Sequence, residues 1–338
     1  MPDRLPTVLA VDGGNSKTDV ALVAADGTLL ATVRGPGVNA PQDGVPVTVK
    51  MLAGLIEQTA AAAGITDGPR TPGSPVAVHT FACLANADLP EEEEQICAAM
   101  RAEGWSMHTS VVNDTFAVLR AGLPDSVASG RAWGVAVTCG AGINCVGLGP
   151  DGRSTRYLAL GDISGDWGGG SGLGMATLWH AIRAEDGRGE PTALREAVAR
   201  HFGTGTVYDV TVGVHRGEIT EDDLLALAPL LLATAQTGDP VARRLVDRQA
   251  EEIFLMILTA MRRLGLTGLA TPVVLGGGLL AARDPQLIAG IEARLAQQAP
   301  RAVITIIDVP PIAGAALLGL DRAHAGPSAQ ARLRAAYA

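Results

Sequence analysis

Two short apolar runs near the start of the chain are separated by a polar segment that contains two glycines. Residues 8–11 and 20–23 have the pattern of buried strands, and the Asp-Gly pair at 26–27 is a turn signal that leads to a third strand. The same order of apolar run, glycine-rich segment, apolar run and Asp-Gly turn returns at residues 134–152. This repeat predicts two domains of related build, each with a β-meander that contains a glycine loop.

The rest of the chain alternates helical and strand patterns. Apolar residues at helical spacing predict helices over residues 47–63, 173–184, 192–202, 221–236, 240–264 and 312–322. Short apolar runs predict strands at residues 76–84, 110–112, 272–275 and 303–307. Asp88 is the predicted N-cap of a further helix, whose first turn is acidic. The tail after Gly326 is rich in alanine and is expected to be a frayed helix. Meanders combined with alternating strands and helices predict an α/β fold with mixed sheets.

The length, the apolar content and the net charge of the chain limit which classes of protein it can belong to. A chain of 338 residues favours two domains, and 47% apolar residues with only 3% aromatic residues means that Ala, Val and Leu build the cores. The net charge of −9 argues against a nucleic-acid or membrane-surface partner, although it does not exclude an anionic ligand.

The cysteine pattern and the lengths of the apolar runs indicate in which cellular compartment the protein is expected. Cys83, Cys97, Cys139 and Cys145 form no CxxC pair and no zinc or disulfide pattern, so we expect reduced, buried thiols. The N-terminal residues show no signal-peptide pattern, and no apolar run has the length of a membrane span. We therefore expect a cytoplasmic protein.

The first glycine loop has the composition of an anion site. It consists of Gly13, Gly14, Asn15, Ser16, Lys17 and Thr18. Glycines let backbone N–H groups approach an anion, and the hydroxyls and the lysine add donors. Asp12 at the preceding strand end would repel a bare phosphate but can hold a cation bound to one. An ordinary hairpin is the alternative interpretation.

The second glycine loop and two further glycine-rich segments are candidate ligand contacts. The second loop contains Thr138, Gly140, Ala141 and Gly142, and it would otherwise be a tight hairpin. Residues 161–174 hold seven glycines together with Asp166 and Trp167, and such density favours close approach of a ligand. Gly276, Gly277 and Gly278 follow an apolar strand, as in nucleotide sites, although a plain turn between strand and helix has the same pattern.

Three polar positions have two possible roles each. Asp114 follows a strand and precedes a helix, where it can act as a general base or as a helix N-cap. Asn39 is either a turn residue or a substrate contact, and Asn144 either binds a sugar hydroxyl or satisfies the loop backbone.

Seven segments taken in order resemble those of the BadF/BadG/BcrA/BcrD family of ATPases, and within it the N-acetylglucosamine kinases. They are VDGGNSKTDV (11–20), the Asn39 segment, VVNDTFAVLRAG (111–122), TCGAGINC (138–145), SGDWGGGSGLG (164–174), VVLGGGL (273–279) and IAGAALLG (312–319). The resemblance covers nearly the whole chain, and the order and spacing are more specific than any single segment.

The resemblance implies an α/β, two-domain actin-like ATPase fold, with duplicated ribonuclease H-like domains, mixed sheets and an interdomain cleft. It implies an N-terminal domain over residues 1–115, onto which a C-terminal helix at about 311–338 packs, and a second domain over 116–310. It also implies a homodimer.

The resemblance implies roles for the candidate residues as well. Residues 13–18 and 138–142 would bind the phosphates of ATP, Asp12 would hold Mg²⁺, and Gly276–Gly278 would lie near the adenosine. Asp114 would be the general base on the 6-hydroxyl of an amino sugar. The sugar would also be bound by Asn39, Asn113, Asn144 and Asp166.

The expected activity is transfer of the ATP γ-phosphoryl group to N-acetylglucosamine, with glucosamine and N-acetylmuramic acid as alternative acceptors. An ATPase activator of the 2-hydroxyacyl-CoA dehydratase type and a sugar sensor without catalysis are the alternatives from other classes. Trp167 stands where vertebrate kinases of this kind have a carboxylate, and Asn15 stands where a third glycine is common. The zinc-binding cysteine cluster of the ROK sugar kinases is absent from the sequence.

Overall fold

The computed structural model describes residues 5–65, 75–123 and 132–338, and the strands in these residues form two five-stranded sheets. The strands are β1 (Val8–Gly13), β2 (Lys17–Val23), β3 (Leu29–Pro36), β4 (Ala77–Leu84), β5 (Ser106–Asn113), β6 (Gly134–Cys139), β7 (Ile143–Leu148), β8 (Ser154–Arg156), β9 (Pro272–Gly276) and β10 (Val303–Ile306). The α-helices are α1 (Ala40–Asp43), α2 (Val45–Ala62), α3 (Pro90–Ala102), α4 (Thr115–Gly122), α5 (Gly169–Glu185), α6 (Leu194–His201), α7 (Val207–His215), α8 (Leu227–Gln236), α9 (Pro240–Leu264), α10 (Gly278–Ala281), α11 (Pro285–Gln298), α12 (Pro311–Arg322) and α13 (Pro327–Ala335).

The first compact unit contains residues 1–136, 150–153 and 307–338. Its sheet has the order β3-β2-β1-β4-β5, in which β1, β2 and β3 are antiparallel neighbours and β1, β4 and β5 run parallel. Every residue of β1 is buried, since one face contributes to a core with α2 and the other to a core with α12. A central strand that is buried on both faces explains the continuous apolar run before Asp12.

The C-terminal helix α12 packs closely against β1 and α4. A Cβ atom at Gly319 would lie 2.3 Å from the Val8 side chain, and one at Gly314 would lie 1.9 Å from the Ala117 carbonyl oxygen. The Arg120 side chain of α4, which is 3% exposed, donates to both carboxylate oxygens of Asp321 at 2.7 and 3.2 Å. α12 therefore supports the helix that begins directly after Asp114.

The second compact unit contains residues 137–149 and 154–306. Its sheet has the order β10-β9-β6-β7-β8, with β7 and β8 antiparallel and β9 and β10 parallel. The long helix α9 contacts β7 and β8, and α8 and α11 pack against α9. Both predicted meanders are confirmed as strands β1–β3 and β6–β8.

Most predicted helices are observed, although α8 begins at Leu227 and not at residue 221, and the predicted N-cap of α3 is wrong. The helix after Asp88 begins at Pro90, and its N-cap is Leu89. The Glu92 carboxylate accepts from the backbone amides of Asp88 and Leu89 at 3.0 and 2.9 Å, so Asp88 does not cap. The Asp88 side chain instead accepts from the Asn113 amide group at 2.8 Å.

In the part of the chain that the structure describes, no single helix has the length and apolar composition needed to cross a membrane. The segments Asp223–Gln236 and Pro240–Leu264 meet that criterion only as a pair, with a bend of 115° between them.

Candidate functional site

Three parallel strands of the first unit end side by side, and their carboxyl ends carry the acidic candidates. In register, Asp12 of β1 lies beside Cys83 of β4, and Leu84 of β4 lies beside Asn113 of β5. The Asp114 amide donates to the Leu84 carbonyl at 3.2 Å. Ligands of α/β sheets commonly bind at this edge, so Asp12 and Asp114 lie at a suitable place for a reaction centre.

The two carboxyl groups share a poorly solvated, acidic environment. Burial, followed by the charges of Asp114 and Asp19, raises the pKa of Asp12 to about 8. Burial also raises the pKa of Asp114 to about 6, opposed by hydrogen bonds from Thr115. Asp114 ionises first, so its negative charge opposes the later ionisation of Asp12. Such shifts are typical of groups that handle protons or cations.

Asp19 was not identified from the sequence as a neighbour of the Asp12 carboxylate. It lies directly opposite Asp12 in the β1–β2 pair, and its carboxylate accepts from Arg34 Nε and Nη2 at 2.7 and 3.0 Å. The signal was present, because residues paired across two antiparallel strands point to the same face. The Arg34 charge in turn lowers the pKa of Asp12, although less than burial raises it.

The surroundings of Asp12 fit a hydrated divalent cation. Among the described residues, no group of three or more His, Cys, Asp or Glu side chains is placed to hold a metal ion. Mg²⁺ commonly takes only one or two protein carboxylates and fills its other positions with water and phosphate oxygens. A cation beside Asp12 would relieve the repulsion among the carboxylates of Asp12, Asp19 and Asp114.

The Asp114 carboxylate is not used to cap α4. Asp114 occupies the N-cap position, but its side chain accepts no capping hydrogen bond. The Asn113 side-chain oxygen accepts from the Thr115 amide at 3.0 Å, and the Asn113 amide group donates to Asp88. Asn113 is 2% exposed, and its hydrogen bonds hold the end of β5 in place. Asp114 is partly exposed, so its carboxylate is accessible to a substrate.

The first glycine loop turns at least one backbone amide away from the body of the unit. The Gly14 amide donates to the Lys17 carbonyl at 2.8 Å, and the Val38 amide donates to the Gly14 carbonyl at 3.0 Å. The N–H and C=O of a trans peptide point in opposite directions, so the Asn15 N–H points away from Val38. A Cβ atom at Gly37 would lie 1.9 Å from the Asn15 carbonyl oxygen, so this close approach requires glycine.

The side chains of the first loop divide into two groups. Asn15, Ser16 and Lys17 are exposed, and the Asn15 side-chain oxygen accepts from the Asn86 amide group. The Thr18 hydroxyl is completely buried and has no hydrogen-bond partner within the described ranges. Thr18 thus differs from Asn15, Ser16 and Lys17 in lying inside the fold.

Asn39 is the N-cap of the short helix α1. Its side-chain oxygen accepts from the Gln42 amide at 3.4 Å, and its amide nitrogen donates to the Gln42 side chain at 3.1 Å. The turn role is therefore present in the structure, and a sugar contact would use the same side chain.

The second glycine loop is held through its carbonyl groups. The Gly170 and Ser171 amides, at the start of α5, donate to the carbonyls of Gly140 and Ala141 at 2.8 and 2.9 Å. The N–H groups of Ala141 and Gly142 belong to the same two peptides, so they point away from α5. A Cβ atom at Gly140 or Gly142 would meet nothing within 4 Å. Two successive amides that point away from α5 can form a concavity suited to an anion.

The third glycine segment packs on the strand that leads into this loop. Gly277, with a φ of +89°, lies so close to the backbone of Cys139 that a Cβ atom would fall 2.4 Å from the Cys139 carbonyl oxygen. Gly276 ends β9 and Gly278 begins α10. Thr138 lies near the end of β6, and its hydroxyl is buried without a partner in the described chain.

A cavity of about 200 Å³ opens in the second unit beside Asp166. Apolar and polar side chains both line it, namely Ile143, Tyr157, Ser164, Asp166, Trp167, Glu252, Leu255, Met256 and Thr259, together with the backbone of Gly165. The Arg248 guanidinium lies over the Trp167 ring at 3.8 Å from its centre. Burial raises the pKa of Glu252. The charge of Arg248 lowers this pKa, whereas the charges of Glu251 and Asp166 raise it further.

Sequence reasoning singled out Asp166 and Trp167 but missed the cavity residues that α9 supplies, because no local motif marks them. Asp166 accepts a hydrogen bond from Ser164. The Asn144 side-chain oxygen accepts from the Cys145 amide at 2.7 Å, which is the loop role considered for it.

The cysteines have the environment expected of structural thiols. Cys83, Cys139 and Cys145 are buried, and Cys97 is partly exposed. Burial raises the pKa of Cys139 to about 12 and also raises the pKa of Cys83 and Cys145. These three groups are therefore poor thiolate ligands.

Comparisons with known proteins agree with one another. The sequence model of the BadF/BadG/BcrA/BcrD ATPase family matches residues 9–319. The chain is 26% identical to an N-acetylmuramic acid/N-acetylglucosamine kinase from Clostridium acetobutylicum over 81% of this chain and 85% of that protein. It is 25% identical to an N-acetyl-D-glucosamine kinase from Dictyostelium discoideum over 93% and 97% of the respective chains.

Solved structures share the fold. A candidate N-acetylglucosamine kinase from Chromobacterium violaceum superposes with a TM-score of 0.72 at 25% identity, over 94% of this chain and 99% of that one. A ROK family glucokinase from Streptomyces griseus, in complex with glucose and AMPPNP, superposes with a TM-score of 0.51 at 14% identity, over 94% and 98%. The α/β fold is therefore that of sugar kinases with actin-like ATPase architecture, as the sequence predicts.

Proposed function

Because this chain belongs to the BadF/BadG/BcrA/BcrD ATPase family, we propose that it is an ATP-dependent sugar kinase that phosphorylates the 6-hydroxyl of N-acetylglucosamine. The observation that carries the proposal is Asp114. It is a partly exposed carboxylate at the carboxyl edge of parallel strands, free of the capping role and with a pKa of about 6. Two related kinases that are named for N-acetylglucosamine support the choice of acceptor.

Phosphoryl transfer depends on positioning and on neutralising charge. The N–H groups of Asn15, Ala141 and Gly142 are proposed donors to phosphate oxygens. Asp114 accepts the proton of the 6-hydroxyl while the hydroxyl oxygen forms a bond to the γ-phosphorus and the bond to the departing ADP breaks. Asp114 then returns the proton to solvent. Asp12 would hold Mg²⁺, which supplies positive charge to the phosphate oxygens.

The acceptor is proposed to enter the cavity beside Asp166. Trp167, Leu255 and Met256 offer apolar surface that suits an acetamido methyl group, and Asp166 can accept from a sugar hydroxyl. The carboxyl groups of Asp166 and Glu252 disfavour an anionic substituent, so N-acetylmuramic acid should be a poor acceptor. The same two groups favour a cationic amine, which makes glucosamine the second candidate acceptor.

The family also contains ATPases that activate dehydratases, and the cysteines argue against that role here. Such an activator shares an iron–sulfur cluster between subunits and needs accessible thiolates. Three of the four cysteines are buried with raised pKa values, and Cys139 lies within the second glycine loop and Cys145 shortly after it.

The test is a coupled assay of ADP release with Mg-ATP and a panel of sugars. The panel contains N-acetylglucosamine, glucosamine, N-acetylmannosamine, N-acetylmuramic acid and glucose. We expect strong stimulation by N-acetylglucosamine, and a loss of kcat of about 10²–10⁴-fold in Asp114→Asn with little change in nucleotide affinity. Glu103→Gln, which changes an exposed acid of the same unit, is the matched control. ADP release that no sugar stimulates would refute the kinase proposal.

A further inference from the structure

Gln249 of α9 is a buried polar side chain outside every motif of the sequence. It is 0% exposed, and its Oε1 atom accepts from the Gly169 amide at 2.9 Å. Its Nε2 atom has no hydrogen-bond partner among the residues that the structure describes. The orientation of the amide follows from Gly169, because an N–H group must face an acceptor.

An unpartnered buried donor is unfavourable by about 1–3 kcal/mol. A methionine has a similar length and would fill the same volume without that penalty. The advantage of glutamine at position 249 is therefore its acceptor oxygen, which fixes the Gly169 amide. A residue whose presence lowers stability at a ligand-binding region is a candidate for a functional role.

The contacts around Gly168 show what Gln249 fixes. Gly168 has a φ of +128°, and a Cβ atom there would lie 2.4 Å from Gln249 Oε1 and 2.6 Å from Nε2, so the glutamine amide lies directly against the glycine. Arg248 stacks on the ring of Trp167. Two consecutive residues of α9 thus hold the residues on both sides of Gly168, at the point where α5 begins.

The start of α5 in turn sets the direction of the second glycine loop. A Cβ atom at Gly169 would lie 2.6 Å from the carbonyl oxygens of Ala141 and Gly142, and the Gly170 amide holds the Gly140 carbonyl. A shift of Gly169 would therefore move the peptides that carry the Ala141 and Gly142 amides.

We propose that Gln249 is a positioning residue for nucleotide binding. It acts through Gly169 and the first turn of α5 on the amides of Ala141 and Gly142, and it touches no substrate itself. The inference rests on the proposed function, because the phosphate-binding role of this loop belongs to that proposal.

The test uses the full-length protein and measures the Kd for MgADP by calorimetry together with KM for ATP, KM for N-acetylglucosamine, and kcat. In Gln249→Met the Gly169 amide loses its acceptor. We expect the Kd for MgADP and KM for ATP to rise at least tenfold, while KM for the sugar changes less than threefold. Gln249→Glu keeps an acceptor oxygen in either protonation state, so it should recover most of the affinity.

Two glycine variants make the test independent of how Gln249→Met folds. Gly168→Ala places a methyl group against the Gln249 amide and should weaken MgADP binding in the same way. Gly268→Ala, in the same unit but outside the proposed nucleotide site, meets nothing within 4 Å and should leave binding unchanged. Thermal unfolding of each variant shows that it is folded when it is assayed.

Each contrary outcome has its own meaning. Wild-type affinity for MgADP in folded Gln249→Met or Gly168→Ala would overturn the positioning role. An equal weakening of nucleotide binding and sugar binding would also overturn it, because that result indicates a general loss of structure. A wild-type protein that binds no MgADP would instead refute the proposed function.

Discussion

Asp114 combines a raised pKa with partial access to solvent, and this sets a pH dependence. A protonated carboxyl group cannot accept the proton of the acceptor hydroxyl. Since the pKa of Asp114 is about 6, kcat/KM for the sugar should fall about tenfold per pH unit below that value and level off above it. Initial rates from pH 4.5 to 8.5 at saturating Mg-ATP measure the profile. A flat profile down to pH 4.5 in a protein that stays folded would contradict the role of Asp114.

The same carboxyl group lowers the stability of the free protein at neutral pH. Its folded pKa of about 6 exceeds the ordinary value of 3.8, so the folded state binds the proton more tightly than the unfolded chain. Stability therefore decreases as the pH rises through about 4 to 6 and stays lower above that range. Asp114→Asn should be more stable than wild type by about 3 kcal/mol at pH 7.5, and the gap should narrow at pH 4.5.

Thermal unfolding at the two pH values without nucleotide checks this expectation. Asp19→Asn is an informative comparison, because the Asp19 carboxylate accepts two hydrogen bonds from Arg34 and its loss should not stabilise the protein. An Asp114→Asn variant that is less stable than wild type at pH 7.5 would show that the carboxylate has stabilising partners in solution.

At the scale of elements, the contact between α12 and α4 links the C-terminal helix α12 to Asp114, the proposed general base. Gly314 of α12 lies against the Ala117 carbonyl of α4, where a Cβ atom would be only 1.9 Å away. Gly314→Ala should push α4 outward, lower stability by about 1–3 kcal/mol, and displace Asp114. We expect a lower Tm and a lower kcat, with KM for ATP nearly unchanged.

Gly326→Ala provides the matched control for this prediction. It lies in the same C-terminal segment at a negative φ, and a Cβ atom there meets nothing within 4 Å. Its stability and kinetics should equal those of wild type. A Gly314→Ala variant with wild-type kcat would show that α4 keeps its position despite the added methyl group.

The elements that were predicted best are those with strong local signals. α9 spans residues 240–264 as predicted, since Asp239 caps it, Pro240 starts it, and Gly265 ends it in a left-handed conformation. α11 was missed although Asp284 and Pro285 give the same start signal and Leu287, Ile291 and Leu295 are buried at helical spacing. The tail expected to fray contains α13, which is anchored by the fully buried Leu333.

The candidate site was predictable only where it follows from sequence neighbours. Glycine loops and acidic residues at strand ends can be recognised from the local sequence. Gln249 could not be found in this way, because its partner Gly169 is 80 positions away and the contact exists only once α9 packs on α5. Glu252 is brought to the cavity by the same helix. Long-range packing decides which of many polar residues face a ligand.

At the scale of the whole molecule, the two units repeat one strand order with different chemistry. In both sheets the central strand, β1 or β6, has the other two strands of its meander on one side and two further strands on the other. In the aligned meanders Asp12 of the first unit corresponds to Thr138 of the second. Carboxylates are thus concentrated at the first loop, while the second loop depends on backbone amides supported by α5. The two units thus share a strand order but differ in the side chains at their glycine loops.

Hydrogen exchange along the whole chain tests whether both loops bind nucleotide. If each loop donates amides to phosphate, MgADP should slow exchange in residues 13–17 and in residues 139–142 by at least about tenfold. Without ligand the Asn15, Ala141 and Gly142 amides should exchange quickly, because open segments have little protection. Asp114→Asn should show the same protection, since its carboxylate is assigned to the acceptor. α13 serves as the internal reference. Protection of one loop alone would remove the other from the nucleotide site, whatever the rate of catalysis.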